Sequence, residues 1–140
     1  MNNKKFLTST IAAFLALMIF DYLWHGILLK DLYLQTTFLW RSKEESAELM
    51  PLMTSFYVVI SITLTALYKY FAIPAGKDNL LTASIKGGFL MGMLVGIINA
   101  NFYNYMPIPF ALALAWFLGG LIPTTLIAYI LFLINKNNSQ

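Results

Sequence analysis

The chain has no cysteine and a single histidine, and only 11% of its residues are charged. The first absence excludes disulfides, thiolate metal sites and cysteine nucleophiles. The second leaves too few nitrogen ligands for a histidine-rich metal centre or a bis-histidine haem. The scarcity of charge sets the chain apart from globular domains, which carry roughly 25%. From Gly87 to Asn135 no charged residue occurs at all. No cluster of lysines and arginines is present to follow a phosphate backbone, so nucleic acid is not an expected partner. The patterns GxSxG, Walker A, GxGxxG and HExxH are also missing, and with them the common routes to an enzymatic assignment.

What is present is hydrophobic. Apolar residues make up 59% of 140 positions, and the mean hydropathy is +0.71. A bilayer core takes about 20 apolar residues per helical span. Four runs of that kind are readable, at residues 6–29, 51–72, 80–103 and 110–134. The expected fold is all-α: one transmembrane domain over residues 1–140, built as a four-helix bundle with the bilayer itself as its main partner. The first run follows Lys4 and Lys5 as a signal peptide would. No small-residue cleavage site leads into a soluble region, so it reads as a retained span.

Punctuation between the runs supports this division. Ser42-Lys-Glu-Glu45 is a capping box that predicts a short helix in the first loop. Before it, residues 31–41 are apolar and aromatic with charges at the ends. They suit an interfacial segment anchored by Tyr33 and Trp40, or an extension of the first span. Pro51 is a good first helical residue, residues 74–79 form a turn, and Pro107 and Pro109 break the chain before the last span. Six of the nine Lys and Arg residues (Lys4, Lys5, Lys69, Lys77, Lys86, Lys136) fall on one side of this topology; Lys30, Arg41 and Lys43 fall on the other. The positive-inside rule then puts both termini in the cytoplasm of a multi-pass inner-membrane protein.

Two features stand out within the spans. Ser84, Gly88, Gly92, Gly96, Ala100 and Asn104 recur at strict four-residue spacing. Small residues in that pattern let helix backbones approach closely in lipid, so Gly88, Gly92, Gly96 and Ala100 are packing residues, either within the chain or against a second copy. Asp21 and His25, four apart, share a helix face near the end of the first span. An ionisable residue in a span is costly and marks a functional candidate. Asn99, Asn101 and Tyr103 end the third span at the same depth, as do Thr54, Ser55 and Tyr57 at the start of the second. Asp21, His25, Asn99, Asn101 and Tyr103 are therefore the candidate ligand- or proton-binding residues, with Asn99 or Tyr103 expected within hydrogen-bonding reach of Asp21 or His25. No metal and no cofactor is expected. In the fourth span Pro123 frees the carbonyl of Gly119, which Thr124 or Thr125 could engage, at a kink or a broken-helix site.

The stretch Asp21-Tyr-Leu-Trp-His25-Gly26, followed by Asp31, Tyr33 and Trp40, resembles small four-span bacterial inner-membrane proteins of unknown function. The resemblance ends near Trp40 and implies no activity. Small multidrug transporters share the size and a carboxylate in the first span, but theirs is a deeper glutamate. Two functions are expected from these residues. One is binding or transport of a small polar solute or ion at an outward-facing Asp/His/Asn pocket, in a chain that could form a homodimer. The other is a structural or assembly subunit of a larger membrane complex. An enzyme ranks behind both.

Overall fold

The structure, a computed structural model, describes residues 1–136. It is all-helical over those residues. Helix α1 spans Asn3–Asp21 and continues as a π-helical segment, Tyr22–Leu28. Two short helices follow in the first loop: α2 at Lys30–Leu34 and α3 at Lys43–Glu48. Helix α4 spans Met50–Leu67 and also ends in a π-helical segment, Tyr68–Ala72. Helix α5 covers Leu80–Ala100 and α6 covers Phe110–Asn135. With their end segments, four of these are long and apolar enough to cross a membrane.

The capping box forms as the sequence implies. Glu45 N–H donates to Ser42 Oγ at 3.1 Å and Ser42 N–H to Glu45 Oε2 at 2.9 Å. The Ser42 backbone N–H first, and the Ser42 hydroxyl after it, hold the Glu45 carboxyl below its ordinary range. Asn2 caps α1 in the same manner, accepting from Lys5 N–H. Pro123 does not break α6, which runs unbroken through it. Thr124 Oγ1 donates to the Gly120 carbonyl and Thr125 Oγ1 to that of Leu121, both at 2.8 Å. The carbonyls engaged are therefore the next two after Gly119, which the sequence had singled out.

Packing centres on α6. Its tightest neighbour is α5; α1 lies against both α4 and α6, and α4 meets α5 chiefly through Tyr68–Ala72. The small-residue stripe makes the α5–α6 seam. A methyl on Gly88 would strike the Ala128 side chain, one on Gly92 would strike Thr124 and Leu121, and one on Gly96 would strike the Phe117 carbonyl. The stripe is thus filled from within the same chain. On α1, Ser9, Ala13 and Leu17 turn inward while Leu7, Ile11, Leu15 and Ile19 turn out. At the end of the molecule holding the amino terminus, Asn135 Nδ2 donates to Ser9 Oγ at 3.0 Å, buried between α6 and α1. Asn135 had read as the start of a polar tail; it is the last residue of α6.

Gly76 sits at φ 80°, ψ 166° in the turn between α4 and α5. That region is open essentially to glycine alone, so this loop position is constrained.

Candidate functional site

The opposite end of the molecule gathers α1, the first loop and the start of α6. Its local cause is the π-helical segment after Asp21. Leu29 N–H bonds back five residues to the Trp24 carbonyl at 2.9 Å, which widens the turn. Single π turns occur often at functional sites. The widened turn lays the Trp24 ring against α6, where Trp24 Nε1 donates to the Ala115 carbonyl at 3.1 Å. Gly119, one turn on, leaves room: a methyl there would come within 2.9 Å of that same nitrogen.

The first loop then folds over this end. Tyr33 and Trp40, expected as interfacial anchors, turn onto the protein. They pack with Leu29, Leu112 and Ala115 in a second apolar cluster, joined by Trp24 and Trp116. The edge-on ring contacts Tyr33–Trp40 and Trp40–Trp116 hold the loop down, and Trp40 Nε1 donates to Thr36 Oγ1 at 2.9 Å. All three tryptophans of the chain thus meet at one end, each with its indole N–H bonded.

A hydrogen-bond chain runs through the cluster. Trp116 Nε1 donates to the Tyr33 hydroxyl at 2.7 Å. An indole N–H only donates, so the Tyr33 oxygen is the acceptor there; with a second lone pair and one proton of its own it can also donate to, or accept from, a further partner. That partner is His25 Nδ1, 2.7 Å away, and the direction of the bond follows the His25 tautomer. The other ring nitrogen of His25, Nε2, faces Asp21. That nitrogen lies 3.7 Å from Asp21 Oδ1, beyond hydrogen-bonding distance. The Tyr57 hydroxyl of α4 is turned toward the same carboxylate without reaching full hydrogen-bond geometry. About a third of each side chain is exposed, 35% for His25 and 33% for Asp21. The Tyr33 hydroxyl, which lies in the loop, is pushed above its ordinary value. Burial is the main cause; the bond from Trp116 works against it and the charge of Asp21 adds to it.

The sequence reading placed Asp21 and His25 together, and they are together. It expected Asn99 or Tyr103 to join them, and the structure corrects this. Among the described residues no hydrogen bond links Asn99, Asn101 or Tyr103 to Asp21 or His25. Asn99 is half-buried. Asn101 is exposed and accepts from Asn104 Nδ2 at 2.8 Å, and Tyr103 is exposed with its ring edge-on to Phe110. The physical reason is that α1 packs chiefly on α4 and α6 and not on α5, while residues 101–104 leave α5 as a tighter 3-10 turn. Thr54 and Ser55 spend their hydroxyls on carbonyls of their own helix. The residues missed were Tyr33 and Trp116. Three tryptophans at matching depth in separate segments were the available clue.

Among the described residues no three His, Cys, Asp or Glu side chains come together as a metal site. No family model, curated protein or solved structure matches the chain.

Proposed function

We propose that this chain is a four-span protein of a cell inner membrane, with both termini in the cytoplasm and the Asp21 end outward, which binds or transports a small polar solute or ion. Membrane insertion is supported by the inverted α1 surface. Its large side chains, Leu7, Ile11, Leu15 and Ile19, point away from the protein. In water that arrangement would expose a continuous apolar stripe, whereas lipid accepts it. The pattern of basic residues supports the orientation.

The observation that carries the functional reading is the incomplete coordination of Asp21. A carboxylate at a helix centre costs roughly 2.5–3.5 kcal/mol to insert, and less near a span's end. Such groups ordinarily find partners. Among the described residues Asp21 has only His25 Nε2 at 3.7 Å and the nearby Tyr57 hydroxyl. His25 Nδ1 is held by the Tyr33 hydroxyl at 2.7 Å, its Nε2 faces the carboxylate, and both side chains remain partly accessible. A proton or a small cationic or hydrogen-bonding solute seated between Asp21, His25 and Tyr57 would complete the site.

The tryptophans supply the test, since all three surround this end. Acidification from about pH 8 to 5, which spans the ordinary histidine range, or addition of sodium, ammonium or guanidinium should change tryptophan fluorescence in detergent-purified protein. Asp21→Asn should abolish the change and leave the fold intact. An unresponsive parent protein, or an equal response in Asp21→Asn, would overturn the reading. A second reading, a structural or assembly subunit of a larger complex, is favoured by the closed bonding of the three indoles and Tyr33. It predicts that Asp21→Asn lowers stability alone.

A further inference from the structure

A cavity of about 330 Å³ lies far from Asp21, between α4, α5 and α6. Its walls include Tyr68 and Phe71 of α4, Gly87 and Leu90 of α5, and Thr124 and Ala128 of α6. The volume is within the range of about 300–1,000 Å³ typical of ligand sites. Phe71, Gly87 and Leu90 are exposed on the outer surface, so the cavity opens sideways, toward lipid if the spans are inserted as proposed above.

One polar group in this apolar wall is unaccounted for. Tyr68 is only 4% exposed, yet among the described residues its buried hydroxyl has no hydrogen-bond partner. Ser84 Oγ lies beside it outside bonding geometry and donates instead to the Leu80 carbonyl at 2.6 Å. Thr124 Oγ1 is spent on the Gly120 carbonyl. Buried hydroxyls almost always find a partner.

We infer that the cavity holds one acyl chain of a membrane glycerophospholipid, whose ester carbonyl accepts the Tyr68 hydroxyl proton; this rests on the membrane reading and not on the Asp21 site. The depth fits. The next residue, Lys69, sets its ammonium over the rings of Phe6 and Tyr70, an aromatic and cationic level where spans meet the interface. The charge fits as well. Exposed Lys86 is flanked at three and four residues by the wall residues Ala83 and Leu90, so all three share a helix face, and a lipid phosphate on that face would meet a cation. A free fatty acid needs no such second contact.

Two variants test this without disturbing the fold. Tyr68→Phe keeps the ring and removes the donor. Gly87→Leu fills the cavity from a position where an added Cβ has nothing within 4 Å. Each is purified from membranes in mild detergent and examined by native mass spectrometry, with melting temperature as the control for folding. The parent should retain one phospholipid per chain. Retention should drop about fivefold to tenfold in Tyr68→Phe, the scale of one lost hydrogen bond, and be abolished in Gly87→Leu, with melting in lipid-free detergent unchanged. Equal phospholipid retention in all three proteins would overturn the inference. So would a free fatty acid as the retained species, or a second protein chain lost on Gly87→Leu. Recovery of the parent outside the membrane fraction would instead defeat the membrane reading on which the inference rests.

Discussion

Gly96 and Gly120 meet backbone to backbone: a methyl group on Gly120 would lie 2.6 Å from the Gly96 amide nitrogen and 2.7 Å from its Cα. No side chain intervenes that could swing aside. Where helices lack a hydrophobic drive to associate, such contact is what holds them. It fixes α5 against α6, and α6 in turn carries Ala115, Trp116 and Gly119 to the Asp21 end.

Gly120→Ala should therefore destabilise the protein by about 1–3 kcal/mol, the usual cost of overpacking. Gly87→Ala, on the same pair of helices but facing open space, should stay within about 0.5 kcal/mol. Thermal unfolding of both in one detergent decides it. Equal melting of the two variants would show that the seam yields.

Gly76→Ala tests backbone strain with no packing term, since an added Cβ there meets nothing within 4 Å. At φ 80° and ψ 166° the cost for alanine should be about 1–3 kcal/mol. Melting unchanged from the parent would mean the turn relaxes to a negative φ.

Much of the helical architecture was legible because long apolar helices announce themselves by length and by lack of charge. The four runs read at residues 6–29, 51–72, 80–103 and 110–134 correspond to apolar helices at Asn3–Leu28, Met50–Ala75, Lys77–Asn104 and Phe110–Asn135. Ser42 and Glu45 were legible because a capping box is local. The α5–α6 seam was half legible: spacing identified Gly92 and Gly96 as contact residues, but no such spacing marked Gly120 on α6 as the opposing surface. The site was least legible. Asp21 and His25 are tied by helical spacing, but Tyr33 and Trp116 lie 83 positions apart, and only the folding of the loop joins them. The π turns at Tyr22–Leu28 and Tyr68–Ala72 change the register of side chains without any proline or glycine cue sufficient to mark them.

Gly119 and Trp24 form a pair that can be tested as a cycle. Gly119→Ala should push Trp24 off the Ala115 carbonyl, because the new methyl and the indole nitrogen cannot occupy the same space. Loss of that bond costs about 1 kcal/mol, and the fluorescence of Trp24 should shift with it. In a Trp24→Ala background the same glycine change should cost less, giving a coupling of at least about 0.5 kcal/mol. Additive effects would mean that the two do not touch.

The proposed orientation makes a labelling prediction in this cysteine-free chain. Ser46 lies exposed in α3 and Asn79 lies exposed between α4 and α5. With an impermeant thiol reagent added to intact cells, Ser46→Cys should react and Asn79→Cys should not. The reverse pattern would turn the Asp21 end to the cytoplasm.

Tyr33 gives the prediction that bears most directly on the hydrogen-bond chain. Its hydroxyl titrates above the ordinary tyrosine value in the folded protein, chiefly through burial. The unfolded chain then loses this proton at lower pH than the folded one. Stability from this source is complete below about pH 10 and falls as pH rises from there through the raised folded value. The parent should accordingly lose melting temperature above about pH 10 more steeply than Tyr33→Phe does. Near neutrality Tyr33→Phe should already melt lower than the parent, because it leaves the Trp116 indole N–H without an acceptor and His25 Nδ1 without its partner, a loss of about 1–3 kcal/mol. Asp21→Asn should soften the alkaline decline of the parent, since the carboxylate adds to the Tyr33 shift. Parallel alkaline curves for the parent and Tyr33→Phe would show that the Tyr33 hydroxyl is not buried between Trp116 and His25.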